Sequence, residues 1–253
     1  MFPYHDENRT VRTPIVTWAF IGANVATWLT LQGAGTSPAL PASVCHFGLI
    51  AGELTGAVPP GTAVEIGEGL ACVTEAGRHF SDVLTSMFMH GSWLHLLGNM
   101  WFLYLFGNNV EDSMGRARFA MFYLLSGVAA ALLQVMLDPA APVPMVGASG
   151  AISGVMGGYL VLYPTVRVHT LIPIGFFITR MKLPAWTMLI YWLVIQVVGG
   201  FAAVAGAKSG GVAFGAHVGG FIAGAILVKL FARRDYVAQH RAGHYEPKLR
   251  RAA

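Results

Sequence analysis

The sequence predicts an all-α polytopic membrane protein, a bundle of six transmembrane helices with both termini in the cytoplasm (N-in/C-in). Three observations predict it. Hydrophobic residues make up 55% of the 253 residues and charged residues only 11%, with a mean hydropathy of +0.59; soluble domains carry about 25% charged residues. Apolar stretches close to the roughly 17–25 residues that cross a bilayer recur six times along the chain. Lysine and arginine then gather in alternate connections, as they do on the cytoplasmic side of membrane proteins.

In chain order the expected spans are 14–33, 91–108, 117–137, 148–163, 185–206 and 212–231. The fourth, at roughly 16 residues, is short for a bilayer. It opens with VGASGAISG, which sets hydroxyls among glycines. The domains follow as a tail over 1–13, a membrane domain over 14–231 with a long outer loop at 34–89, and a basic tail over 232–253. ALPA at 39–42 is a passable signal-peptidase site, but Asp6 and Glu7 precede the first span and cleavage would still leave five. That segment is therefore read as a span.

Of the 16 lysines and arginines, all but Arg78 and Lys208 fall on one side in this arrangement. Arg9 and Arg12 lie before the first span. Arg116 and Arg118 flank the 109–116 loop, and Arg167, Arg180 and Lys182 lie in the 164–184 loop. Lys229, Arg233, Arg234, Arg241, Lys248, Arg250 and Arg251 end the chain. The net charge of +4 is accounted for by basic tails beside anionic lipid, with no nucleic acid required. The outer loop is rich in Gly, Pro and Glu and holds both cysteines, Cys45 and Cys72. On an oxidising face they can pair, or both can remain thiols.

Polar groups at membrane depth are costly and face the bundle interior or a water-filled cavity. Three spans carry them toward the same face: His90, His95 and Asn99 on the second, Ser149 on the fourth, His217 on the sixth. Elsewhere only singletons such as Asn24 and Gln196 occur. Small residues repeat every four positions beside these groups: Gly150, Gly154 and Gly158 on one span, Ala216, Gly220 and Gly224 on another. Such stripes let helices approach closely in lipid, which would bring Ser149 to His217. A serine hydroxyl needs an adjacent base to act as a nucleophile, and His217 is the candidate. No acid lies between Asp138 and Asp235, and Glu111, Asp112 and Asp138 are read as loop residues, so the expectation is a dyad. The histidines lack metal-ligand spacing, and neither metal nor cofactor is expected. Asn99, His95 and the Ser149 backbone N–H could stabilise an oxyanion. His90 is read as structural, capping the outer end of the second span.

The pieces HGSWLHLLGN, VEDSMG, GASG and AHVGGFIAG occur in that order, and with them the chain resembles the rhomboid intramembrane serine proteases over roughly residues 80–231. The resemblance implies a six-helix rhomboid bundle and a serine endopeptidase with Ser149 as nucleophile and His217 as general base. His95 and Asn99 would line the oxyanion site, while Gly147, Gly150, Gly220 and Gly224 would shape the site. It implies transmembrane protein substrates, cut near their outer ends, and membrane lipid as partners. The expected location is a bacterial inner (plasma) membrane, with the active site opening outward. One departure is visible: many rhomboids carry a Trp-Arg pair in the first outer loop, where this chain has Ser81 and Asp82. A transporter would predict repeated halves, and none is found. A catalytically silent relative usually lacks the serine or the histidine, and both are present.

Overall fold

The computed structural model describes residues 1–67, 70–175, 177–204 and 212–245. Lys208, Lys248, Arg250 and Arg251 of the charge argument, and the last two residues of the expected fifth span, lie outside the described residues. In chain order the elements are β1 (Phe2–Asp6), α1 (Ile15–Thr30), α2 (Ala39–Phe47), α3 (Ala51–Thr55), β2 (Ala63–Gly67), β3 (Leu70–Val73) and α4 (Asp82–Thr85). Then follow α5 (Trp93–Phe102), a π-helical turn at Leu103–Gly107, α6 (Asn108–Met114), α7 (Arg116–Leu137) and α8 (Ser149–Leu162). The remainder is β4 (Arg167–Ile174), β5 (Phe177–Pro184), α9 (Ala185–Val204), α10 (Phe214–Phe231) and α11 (Arg234–Tyr245).

The protein is mostly helical, and among the described residues three helices are long and apolar enough to cross a membrane: Arg116–Leu137, Ala185–Ala202 and Phe214–Phe231. Ile15–Thr30 and Ser149–Leu162 are shorter apolar helices. The latter, α8, is the axis of the bundle, with eleven of its fourteen residues buried. It can be central because it is thin. A Cβ on Gly154 would lie 2.3 Å from Ser126 Cβ of α7, and one on Gly157 would lie 2.1 Å from the Phe221 carbonyl of α10. From the other side, Cβ atoms on Gly220 and Gly224 would stand 2.0 Å and 1.9 Å from the carbonyl oxygens of Gly150 and Gly154. The helices therefore meet backbone to backbone.

Two expectations are corrected. The chain is not all-α. The connection at 164–184 is an antiparallel hairpin, registered from Arg167↔Pro184 to Ile174↔Phe177. Its β-branched, alternating residues (RVHTLIPI, FITRMKLP) favour a pleated strand. The first residues add a third strand, β1, paired antiparallel with β4 from Phe2↔Leu171 to Asp6↔Val168. Nor is 109–116 a loop. The helix begun by α5 runs on through the π-turn into α6, and only Gly115, at φ 81°, separates it from α7. That backbone angle suits glycine alone. Glu111 and Asp112 are consequently buried helical residues. The Glu111 carboxylate accepts from the backbone N–H of Val16 (3.0 Å) and Thr17 (2.7 Å) and from the Thr17 hydroxyl (2.8 Å). It thus caps the start of α1 with negative charge.

The described residues of the 34–89 segment are folded as well. Cys45 of α2 and Cys72 of β3 form a disulfide, with Cα atoms 5.3 Å apart. Leu49 and Met145 exchange backbone hydrogen bonds of 2.9 Å and 2.8 Å, Gly52 N–H donates to Ala141 O (2.9 Å), and Gly147 N–H donates to Ser86 O (2.9 Å). This segment therefore splints the stretch of chain that leads into Ser149.

Candidate active site

Ser149 is the first residue of α8. Gly147, at φ 127°, turns the chain into the helix, a conformation that side-chain-bearing residues rarely adopt. A Cβ there would also collide with His95 Nε2 at 2.7 Å. As an opening residue of its helix, Ser149 has a backbone N–H that no intrahelical carbonyl reaches. The close approach of α8 and α10 sets the Ser149 hydroxyl against His217, with Oγ and Nε2 2.8 Å apart. Ser153, one turn on, donates its hydroxyl to the Ser149 carbonyl at 2.6 Å.

Asn99 and His95 reach the site from α5. Asn99 is buried, and its Nδ2 has no hydrogen-bond partner among the described residues. It lies 3.6 Å from the Cβ position of Gly147, with the His95 ring beside it. A buried amide N–H left unpaired costs about 1–3 kcal/mol, so an acceptor arriving here recovers that cost. His90 does not cap α5. Ser92 does, accepting from His95 N–H at 3.1 Å. His90 is fully buried behind His95, with ring centroids 5.2 Å apart. Its backbone N–H and carbonyl are both held by the Gln32 amide, at 2.9 Å and 2.8 Å.

Sequence reasoning set Gln196 aside as a singleton. The structure places its Oε1 2.8 Å from His217 Nδ1, on the ring edge away from Ser149. Trp192, one turn earlier on α9, lies against the same imidazole with centroids 5.8 Å apart. The four-residue spacing of Trp192 and Gln196 was the available signal. It indicates a shared face of α9 but not the helix that face meets.

Ser149, His217, Asn99, His95 and Trp192 all line one cavity of about 690 Å3, whose other walls include Met87, Phe102, Val146 and Met156. Ile66 and Leu70 of the β2–β3 hairpin also border it. Ser81 and Asp82 do not enter the site; they head α4, with Ser81 Oγ 3.1 Å from Asp82 Oδ1. The arrangement comprises a hydroxyl against a basic nitrogen, an unpaired amide donor within the same pocket, and an apolar chamber. Those are the parts that acyl transfer needs.

Comparison with known proteins agrees on one family. The family model for the rhomboid domain matches residues 77–234. RHOMBOID-like protein 5 of Arabidopsis thaliana is 30% identical over 167 residues, 66% of this chain and 47% of that protein. Rhomboid protease GluP of Bacillus subtilis is 32% identical over 145 residues, 57% of this chain and 25% of that protein. Inactive rhomboid protein 1 of Drosophila melanogaster is 38% identical over 80 residues, 32% of this chain and 6% of that protein. The chain spans less than half the length of each of these relatives.

Proposed function

The chain belongs to the rhomboid family, and from that premise we propose that it is an intramembrane serine endopeptidase that hydrolyses transmembrane segments of other membrane proteins. The observation that carries this reading is the 2.8 Å contact between Ser149 Oγ and His217 Nε2. Six spans, with both termini in the cytoplasm and the cavity opening on the outer face of a bacterial inner membrane, provide its setting. In this reading the basic tails rest against anionic lipid.

The Ser149 hydroxyl gives its proton to His217 Nε2 as Oγ bonds to the scissile carbonyl carbon. The carbonyl oxygen becomes an oxyanion, held by the Ser149 N–H, Asn99 Nδ2 and the His95 ring. His217 then protonates the leaving amine, and the carbon–nitrogen bond breaks to leave an acyl-enzyme. Water, activated by the same imidazole, releases the acid and restores Ser149. The glycines at 147, 150, 220 and 224 hold these groups together and leave room for an unwound substrate backbone.

The test is incubation of the purified protein in detergent with a generic transmembrane substrate, with fragments identified by mass spectrometry. Ser149→Ala and His217→Ala should each abolish cleavage, and the double variant should be no worse than either, because the pair acts as a unit. Substantial cleavage by either single variant overturns the assignment. A wild-type protein that cleaves nothing, and whose client binding survives Ser149→Ala, would instead be a silent escort of membrane proteins.

A further inference from the structure

We infer that Gln196 is a positioning residue that extends the pair to a hydrogen-bonded set of three: it fixes His217 in the tautomer that leaves Nε2 free to take the Ser149 proton. This rests on the proteolytic reading above, but its geometry and its test do not depend on cleavage alone.

A neutral imidazole carries one N–H, and either nitrogen can hold it. Only one choice works here. If the proton sits on Nε2, the nitrogen facing Ser149 Oγ at 2.8 Å is a donor and cannot accept the hydroxyl proton. If it sits on Nδ1, Nε2 presents its lone pair to Ser149. What lies beside Nδ1 therefore decides whether the serine has a base. That neighbour is Gln196 Oε1, at 2.8 Å and with Gln196 only 8% exposed. An amide oxygen can only accept, so Nδ1 must donate. The opposite amide orientation would set an N–H against Nδ1, force the proton onto Nε2 and disable the serine.

The side chain is well held for this purpose. Trp192 and Gln196 sit on one face of α9, and both meet His217, the indole against the ring and the amide at its edge. Trp192 also stacks on Phe221 of α10, with centroids 6.1 Å apart, which ties this face of α9 to the helix that carries His217. Among the described residues that line the cavity none is Asp or Glu, and the group beside Nδ1 is the Gln196 amide. The usual third member of a serine–histidine system is an anion that both orients the ring and stabilises the imidazolium. An amide oxygen orients without a charge. That suits a site set among apolar helices, where a buried unpaired carboxylate is expensive. No proton leaves Nδ1 at any step: it donates to Gln196 Oε1 before and after Nε2 is protonated.

The experiment compares Gln196→Met, which keeps length and loses the acceptor, with Gln196→Glu, which keeps an oxygen there. For Gln196→Met, kcat should fall on the order of 10- to 100-fold with KM little changed, short of the roughly 10,000-fold seen when a wrong tautomer is enforced. Gln196→Glu should recover most of that loss. In 15N-histidine spectra of the wild type, the His217 signals (those missing in His217→Ala) should show a protonated Nδ1 and an unprotonated Nε2. Gln196→Met should move the proton toward Nε2. Wild-type kcat in Gln196→Met, equal losses in the Met and Glu variants, or an unprotonated Nδ1 in the wild type would each overturn the inference. If the wild type cleaves nothing, the proteolytic reading fails, while the spectra still decide the tautomer.

Discussion

At the scale of single residues, the site's chemistry divides by how a side chain declares itself. Ser149 and His217 were legible because each is an ionisable or nucleophilic group in an apolar stretch, where its presence demands a reason. Gln196 was not, since an isolated glutamine in a span has no signature until its partner on another helix is known. Glu111 misled for a different reason: a carboxylate next to Asp112 reads as solvent-exposed loop, yet it caps α1 from inside the bundle. Asn99 gives the sharpest test at this scale. Its amide is buried beside the turn into Ser149 with no partner for Nδ2 among the described residues, which is a cost in the resting protein. If an oxyanion supplies the missing acceptor, Asn99→Ala lowers kcat by about 10- to 1,000-fold, the range for one such donor, and changes KM less. Steady-state kinetics on a fluorogenic transmembrane substrate reads both values. An Asn99→Ala protein with unchanged kcat removes the residue from the site.

At the scale of elements, hydropathy indicated where the helices lie, because an apolar run of bilayer length is rarely anything but a spanning helix. It was silent on the strands. The hairpin at 167–184 carries Arg167, Arg180 and Lys182, and its period-2 pattern is short enough to pass for a basic loop. The glycine stripes were legible as a packing pattern, and the distances show how little room they leave. Any side chain at Gly220 meets the Gly150 carbonyl, a backbone atom that cannot rotate away. Gly220→Val must therefore separate α8 from α10, and a displacement of about 1 Å can cost on the order of 100-fold in rate. The expected result is loss of both cleavage and thermal stability, whereas Ser149→Ala loses cleavage alone. Gly22, in α1, has nothing within 4 Å of its Cβ position. Gly22→Ala should accordingly keep both properties, gaining up to about 1 kcal/mol from helix propensity. Thermal melts in detergent, run beside the cleavage assay, separate the three. Full stability and full activity in Gly220→Val would mean that α8 and α10 do not meet along this line.

At the scale of the whole molecule, α8 joins two polar centres. Ser149 opens it, and ten residues on, about 15 Å along the axis, Tyr159 enters a buried network built from distant parts of the chain. The Tyr159 hydroxyl and Asn109 Nδ2 each donate to the Asp6 carboxylate at 2.8 Å. Asp112 accepts from the backbone N–H of Val11 (2.8 Å) and Arg12 (3.0 Å), and its side chain pairs with His240 of α11. Glu7 meets Lys182 (2.7 Å) and His169 (2.8 Å) on the β-sheet. The first residues and α11, both read from sequence as tails, thus fasten this end of the bundle; composition could not reveal it, because the partners are far apart in the chain. The network makes stability depend on pH. Burial pushes the Asp6 carboxyl from 3.8 up to about 7, against the pull of its donors. Between those values the folded protein holds a proton that the unfolded chain has released, so the stability tied to protonated Asp6 is full below about pH 4 and is lost as pH rises through 7. Glu7 runs the other way: its bonds to Lys182 and His169 lower it from 4.5 to about 2, so its smaller, exposed contribution is present above 4.5 and fades toward pH 2. The windows barely overlap, which lets one substitution isolate Asp6. Asp6→Asn keeps an oxygen for Tyr159 and Asn109 but cannot ionise. Its melting temperature in detergent should match the wild type near pH 4 and exceed it at pH 8, while Glu7→Gln leaves the wild-type decline between those values largely intact. A wild-type decline that persists unchanged in Asp6→Asn would place the titrating group elsewhere.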